Sequence, residues 1–305
     1  MTTPPPEAPQ APPWRPSRPG RALVLGASGQ IGRPLLARLV QAGWRVDALS
    51  RQPQPPLPGV HWLRGDLAGC RELPGEVDLL LSCGPLDAFA ARFARGDVAC
   101  RRVVAFGSTS VEAKRTSPDP DERALADRLR AAEASLFATA AGRGVAATIL
   151  RPTLVYGAGR DATLTRIAAL ARRLRGFALP ADATGRRQPV HVDDLADAAM
   201  ACLDAPATHG RAYAVPGGEA LPYREMVART LAALPERPRL LLLPPALFGA
   251  LLGPARLLGL ASGFNDAALA RMRQDLVFDP APAQRDFGYA PRPFAPDAAM
   301  LTPPG

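Results

Sequence analysis

Lysine is almost missing from this chain: of 37 basic residues in 305, only Lys114 is a lysine and the rest are arginines. Any chemistry that needs a lysine amine has a single candidate. Cysteine is sparse too. Cys70, Cys83, Cys100 and Cys202 show no C-x-x-C spacing, and His61, His191 and His209 are scattered. No zinc site, other metal site or disulfide framework is indicated, and free thiols fit a reducing cytoplasm. The net charge is +9, yet no block of consecutive like charges occurs. That argues against a nucleic-acid partner and leaves anionic small substrates or an anionic membrane surface. An unbroken apolar span is also lacking. Leu240 to Leu260 is the most apolar stretch, but Pro244, Pro245, Pro254 and Arg256 interrupt it, whereas a transmembrane helix needs about 20 apolar residues in a row. Buried or interfacial helices are expected there. Residues 1–20 carry eight prolines and no apolar h-region, the composition of a disordered tail and not of a signal peptide.

What is present begins with Gly26-Ala27-Ser28-Gly29-Gln30-Ile31-Gly32, which follows the apolar run Ala22 to Leu25 and opens a helical pattern. In a strand-to-helix turn of this kind, Gly26 makes the turn and Gly29 lets backbone N–H groups approach a pyrophosphate. Gly32 lets the helix pack close to the strand. Ile31, Leu35 and Leu39 fall four apart on one helical face, widened by Leu36 and Val40. The spacing is G-x-x-G-x-x-G, so the strand-turn-helix context carries the reading of a dinucleotide site.

Further strands are expected at 44–50, 61–67, 77–82, 102–106 and 145–150, with helices at 86–95 and 121–141 between them. This alternation predicts an α/β fold with a doubly wound parallel sheet whose ligands lie beyond the carboxyl ends of the strands. Beyond 151 the pattern loosens. It holds a helix near 161–175, a short strand into His191, helices at 192–203 and 222–233, and a strand at 211–215. The division expected is a tail (1–20), a dinucleotide-binding core (21–155) and a mixed substrate-binding region (156–305) that contributes elements back to the core.

The motifs then come in a recognisable order: the glycine turn, Arg64-Gly65-Asp66-Leu67, Phe106-Gly107-Ser108-Thr109, Leu150 to Gly157 (LRPTLVYG) and Pro189 to Ala196 (PVHVDDLA). Over residues 21–290 the chain resembles the extended short-chain dehydrogenase/reductases, in the NAD-dependent epimerase/dehydratase branch, which implies a Rossmann-type fold. The resemblance implies that Asp66 binds the adenine amine, with Leu67 beside it. It also implies that Cys83 and Gly84 pass beside the cofactor ribose. At the end of the second strand stand Ser50 and Arg51, while Asp47 lies earlier, inside the strand. An arginine there accommodates the extra phosphate of NADP, and Arg33 adds a second cation, so NADP(H) is favoured over NAD(H).

One family feature is missing. Members carry a Tyr-x-x-x-Lys pair on the long helix, and here alignment on Ala131-Ala132-Glu133 puts Leu125 and Leu129 in those places. With Leu136 the two leucines form an apolar face, for which core packing is the expected use. Thr109 remains at the family's Ser/Thr position and would orient the reacting oxygen. Tyr156 or Lys114 would relay the proton. Arg151, Arg160, Arg166, Arg186 and Arg187 cluster where a substrate diphosphate would be bound, a role suited to guanidinium groups. His191 joins Arg151 and Arg187 as a substrate-binding candidate. The expected activity is an NAD(P)-dependent oxidoreductase or epimerase acting on a nucleotide-sugar-like small molecule, with homodimerisation left open. The alternatives are a non-catalytic NAD(P)-binding redox-responsive or assembly protein, and a peripheral membrane enzyme acting on a lipid-linked substrate.

Overall fold

Side chains that alternate along fully buried strands assign the layers of the fold. The computed structural model describes residues 19–303 apart from 68, 71 and 251–265. In β1 (Arg21–Leu25), Ala22 and Val24 join one core cluster while Leu23 and Leu25 join another, because successive residues of a strand point to opposite faces. The expected helix over 251–260 and nearly all of the expected disordered tail lie outside the described residues.

The elements that follow are α1 (Gly32–Gln41), β2 (Arg45–Ser50), β3 (Val60–Arg64), β4 (Leu79–Ser82), α2 (Leu86–Arg95) and β5 (Arg102–Phe106). Next come α3 (Ser110–Ala113), α4 (Pro120–Gly142) and β6 (Ala146–Pro152). The second half holds β7 (Val155–Tyr156), α5 (Leu164–Leu174), β8 (Gly176–Pro180), β9 (Arg186–Arg187), β10 (Val190–His191) and α6 (Val192–Leu203). After a short 3-10 turn come β11 (Arg211–Val215), β12 (Leu221–Pro222), α7 (Tyr223–Ala232), β13 (Arg239–Leu243), α8 (Asp266–Arg273) and α9 (Ala281–Phe287).

Seven strands form one parallel sheet in the order β3-β2-β1-β4-β5-β6-β11. The order reverses between β1 and β4, so the crevice for a ligand opens at the carboxyl ends of those strands. Leu35, Leu36 and Leu39 of α1 and Leu195 and Ala199 of α6 cover one face. Phe89 and Phe93 of α2 and Leu136 of α4 cover the other. The 23-residue α4 starts cleanly: Asp119 accepts a hydrogen bond from the Asp121 N–H at 2.9 Å, and Pro120 occupies the first turn, where a missing N–H costs nothing. A third cluster, around Phe177, Leu179, Met226 and Leu301, holds the region beyond β6 together.

Arg102 is the most deeply buried charge, with no exposed surface. Its guanidinium donates to the carbonyls of Val103, Ala146 and Cys202 and to the hydroxyls of Thr148 and Thr208. No carboxylate among the described residues faces it, and burial pushes its pKa down to about 10.

The region beyond β6 adds elements that were not expected, among them β8, β12 and α9, and it overturns one expectation. Arg239–Leu243 is a strand, not a helix, and it pairs in parallel with β8. A short run of leucines has no period that separates the two states.

Candidate functional site

The glycine turn is sterically obligatory. Gly26 has φ +73°, and a Cβ there would stand 2.9 Å from the Gly84 N and 3.0 Å from the Cys83 carbonyl carbon. A Cβ on Gly32 would stand 2.5 Å from the carbonyl oxygens of both Gly26 and Ala27, and one on Gly29 3.0 Å from the Gly26 oxygen. The three positions thus let the turn fold against the end of β4 and keep its backbone bare. No side chain caps α1, whose N-cap residue is Ile31; Pro34 has no N–H and the Arg33 N–H bonds the Gly29 carbonyl, which leaves the Gly32 amide at the positive end of the helix for an anion. These residues fit a dinucleotide pyrophosphate. Gln30 lies in the same turn, and its Oε1 is buried without a hydrogen-bond partner.

The end of β2 is tied to this turn. Ser50 is buried, and its hydroxyl donates to the Gln52 carbonyl at 2.8 Å and accepts from the Ser28 hydroxyl at 3.0 Å. Arg51 stands exposed just beyond the strand. Arg33 reaches the same loop through a 3.0 Å hydrogen bond to Gln54, so two guanidinium groups border one loop. Asp47 points elsewhere. It is buried, accepts from Arg21 at 2.6 Å and lies 2.9 Å from His61 Nδ1. Burial opposes its charge, but the Arg21 and His61 hydrogen bonds outweigh it and hold the carboxyl below its ordinary range. A wide hollow of about 600 Å³ beside Arg21, Asp47 and His61 lies away from the glycine turn.

Asp66 follows β3 and accepts a 2.6 Å bond from the Gly69 N–H. It therefore caps its own turn. Leu67 is half-buried, and its Cδ1 would lie 3.6 Å from a Cβ placed on Gly84, so the ends of β3 and β4 face each other. Burial pushes the Cys83 thiol up to about 12, which leaves a neutral sulfur beside the crevice.

A cavity of about 250 Å³ opens beyond β4 and β5. Its apolar wall includes Leu86, Phe106, Leu125 and Leu129, and its polar wall includes Ser108, Ser110, Asp87 and Arg128. Leu125, Arg128 and Leu129 share one face of α4 by their i, i+3, i+4 spacing. Leu136 is fully buried, whereas Leu125 and Leu129 are half-exposed and line the cavity. Core packing therefore holds for Leu136 and in part for Leu129, which packs against the same cluster while also lining the cavity, and the expectation is corrected for Leu125. The two residues in the places of the tyrosine and lysine form the cavity's wall.

The other candidate catalytic side chains are held away from this space. Thr109 is buried and donates from Oγ1 to the Pro152 carbonyl at 3.1 Å. Its neighbours Ser108 and Ser110 line the cavity instead. Tyr156 is 1% exposed and is wedged edge-on between His191 and Phe294 at ring distances of 5.1 and 5.0 Å. Its hydroxyl accepts from the Ala295 N–H at 3.4 Å, and burial raises its pKa. Lys114 lies 3.4 Å from Glu122, a carboxylate that Arg271 and Ser117 also contact. Neither Tyr156 nor Lys114 is presented as an open proton relay.

The substrate-side candidates fare similarly. Arg151 donates to Glu133 at 2.8 Å and to Glu112 at 2.7 Å, which clamps β6 to α4 and α3. Arg187 is buried, its guanidinium directed at the carbonyls of Arg186, Gln274 and Arg271 and placed 5.4 Å from the Tyr223 ring. His191 caps α6 by accepting from the Asp193 N–H at 3.2 Å. Burial, aided by Arg292, lowers its pKa and keeps the ring neutral. Arg160 behaves differently, being exposed and donating to the Ser28 carbonyl at 3.1 Å. It thereby brings a cation from the second half onto the glycine turn. Ser108, Ser110 and Arg128 are functional candidates that the sequence reading passed over. The i+3 relation of Arg128 to Leu125 was the available signal. Among the described residues no group of three His, Cys, Asp or Glu side chains could hold a metal, and no helix is long and apolar enough to cross a membrane.

A seven-stranded doubly wound sheet with a glycine cradle at its reversal point defines a Rossmann-type dinucleotide-binding protein. Residues 89–215 match the NAD dependent epimerase/dehydratase family. A 2-alkyl-3-oxoalkanoate reductase of Stenotrophomonas maltophilia is 29% identical over 89% of this chain and 95% of its own length. A UDP-glucose 4-epimerase of Vibrio cholerae is 28% identical over 49% of this chain and 46% of its own. Among solved structures, MoeE5 in complex with UDP-glucuronic acid and NAD superposes with a TM-score of 0.63 at 22% identity, covering 90% of this chain and 94% of that one. Over residues 89–215 the chain is thus similar to the NAD dependent epimerase/dehydratase family, and it lacks a Tyr-x-x-x-Lys pair.

Proposed function

We propose that the chain is an NADP(H)-dependent oxidoreductase whose reacting carbon sits in the cavity walled by Leu125 and Leu129. The observation that carries this reading is an intact glycine cradle beside an apolar cavity of about 250 Å³ at the ends of the adjacent strands. The dinucleotide, when bound, supplies or accepts the hydride, and the protein supplies binding and orientation. Gly26, Ser28, Gly29, Ile31 and Gly32 hold the pyrophosphate, with Arg160 above them. Arg51 and Arg33 meet the 2′-phosphate of NADP. In the cavity, the Ser108 and Ser110 hydroxyls orient the substrate oxygen and Arg128 binds an anionic group. Leu125, Leu129 and Phe106 receive an apolar part and exclude water. Asp87 is the sole carboxyl on this wall among the described residues, and it exchanges the proton with solvent at the mouth.

An oxo or hydroxy acid with an apolar arm suits this wall, because Arg151 and Arg187 are engaged with internal partners. A relative whose name specifies an oxoalkanoate points the same way. A nucleotide-sugar is the second reading, favoured by Arg160, which stays exposed and reaches the glycine turn. Purified chain with NADPH is offered 3-oxo acids of increasing length and, separately, UDP-sugars, with nicotinamide absorbance followed. Turnover that rises with chain length supports the first reading, and turnover or epimerised product with UDP-sugars alone supports the second. NADPH binding without turnover of either class makes the chain a binding protein and sinks both.

A further inference from the structure

The glycine turn and its cavity lie at the carboxyl ends of the strands, and the amino ends of β1, β2 and β3 carry a polar cluster of their own. Arg21 of β1, Arg45 and Asp47 of β2 and His61 of β3 share one face of the sheet. The register fixes this, since Arg21 lies beside Arg45, Leu23 beside Asp47 and Asp47 beside His61. Register partners in a sheet point the same way, as do residues two apart on one strand. All four border the hollow of about 600 Å³. Along β1, about 15 Å of strand separates Arg21 from the glycine turn.

Asp47 organises the cluster. Its side chain is 6% exposed and holds Arg21 Nε at 2.6 Å and His61 Nδ1 at 2.9 Å. These partners hold the carboxyl below its ordinary range, and a carboxylate only accepts. The Nδ1 hydrogen of His61 is therefore directed at Asp47, and Nε2 is left for another partner. His61 exposes 72% of its side chain and Arg21 47%. Arg45 is exposed and has no side-chain partner among the described residues. Asp78 also approaches Arg21, where it accepts from the backbone N–H at 2.9 Å. One buried carboxylate thus positions a guanidinium and an imidazole from two strands, beside a second guanidinium from the strand between them.

We infer that this hollow binds the phosphate monoester of a small molecule, with Arg45 and Arg21 on two phosphate oxygens and His61 Nε2 on the third. Guanidinium groups take phosphate oxygens through charge-assisted hydrogen bonds. Imidazole and a phosphate monoester both change protonation near neutral pH, so Nε2 accepts from a P–OH or, once protonated, donates to a P–O⁻. A carboxylate has two oxygens and is matched by one guanidinium, whereas groups converging from three strands suit the three terminal oxygens of a phosphate. Small-molecule sites span about 300–1,000 Å³, so the hollow has room for an organic part beside Val46, Gly59 and Val60. The inference is independent of the cofactor reading, because the two sites lie at opposite ends of the same strands.

The test is an NMR titration of the full chain, isotope-labelled at histidine Cε1, at constant pH and ionic strength. The chain has three histidines. His191 is buried and His209 half-buried, so the signal lost in His61→Gln reports the hollow. Adenosine monophosphate is expected to move this signal to saturation, and adenosine, which lacks the phosphate, to leave it in place. Arg45→Ala weakens the response about tenfold, as for one charge-assisted hydrogen bond, while the melting temperature stays level. Inorganic phosphate that binds as tightly as the monophosphate makes free phosphate the ligand, and weaker binding places the organic part in the hollow. Either result keeps the phosphate site. A His61 signal that never saturates overturns the inference. So does equal movement with adenosine, or an affinity unchanged in Arg45→Ala.

Discussion

The glycine turn and the cavity beside it lie at the ends of adjacent strands, yet the turn keeps its three glycines while the cavity has Leu125 and Leu129 where the resemblance implies a tyrosine and a lysine. The turn works through backbone amides, and its glycines are held in place twice over, by positive φ at Gly26 and by the atoms a Cβ would strike at all three positions. Replacing them would disturb the fold as well as binding. The cavity is lined by side chains, among them Leu125 and Leu129 on a half-exposed face of α4. A site built from main chain is coupled to folding, whereas one built from side chains is free to drift or to be rebuilt.

The sharpest way to break this contrast is to restore the missing pair. Leu125→Tyr with Leu129→Lys is expected to raise kcat for the preferred substrate by about a hundredfold, the lower end of what positioned acid/base groups contribute. Absence of any gain would place the reacting centre outside the cavity. On the other side, Gly26→Val is expected to weaken NADPH binding roughly a hundredfold, since strain of about 1–3 kcal/mol is added to a lost amide geometry. Fluorescence titration of NADPH reads this directly, and unchanged affinity would remove the turn from the cofactor site. Arg51→Ala is expected to lower NADP affinity roughly tenfold and leave NAD affinity alone, as for loss of one charge-assisted hydrogen bond. Equal loss for both cofactors would show that Arg51 does not select between them.

Smaller effects should mark the residues that the fold holds away from the cavity. Tyr156→Phe is expected to change kcat/KM by less than about twofold and to cost about 1 kcal/mol of stability through the lost Ala295 hydrogen bond. A large fall in kcat with an unchanged melting temperature would return Tyr156 to the chemistry. Asp47 gives the pH test. Its folded pKa lies below its unfolded value, so its contribution is present above the ordinary carboxylate range, near pH 4, and is lost as pH falls below that. Asp47→Asn should flatten the melting temperature in that window, and an identical acid profile in both proteins would count against the Arg21 and His61 pairing.

Most of the sheet was legible because its strands are buried on both faces and its helices carry broad apolar stripes. The ranges of α2, α6 and β11 follow directly from their residues. The seventh strand, β11, pairs with β6 at the edge of the sheet. The site was less legible. Lone motif residues reveal nothing about distant partners: Arg151 looks like a substrate clamp until Glu133, 18 positions earlier, closes on it. Arg187 looks the same until the carbonyls near 271–274 arrive. Thr109 and the serines on either side of it differ only in which way the turn after β5 points them, and a sequence does not record that. Leu129 does pack against the core, but Leu125 does not, because an apolar helical stripe looks the same whether it meets a core or a cavity.

Arg102 has a consequence for how the protein assembles. Three of its hydrogen bonds form within β5 and β6, but the Cys202 carbonyl and the Thr208 hydroxyl come from the end of α6 and the turn after it, about 100 residues further on. A partly folded state with β5 and β6 in place but α6 absent lacks both of these bonds, each a hydrogen bond to a charged group that contributes about 1.5–3 kcal/mol. Such a state should be scarcely populated. The two halves are thereby bound into one cooperative unit, and a fragment that ends near residue 156 is expected to lack a stable fold even though it contains the whole glycine turn.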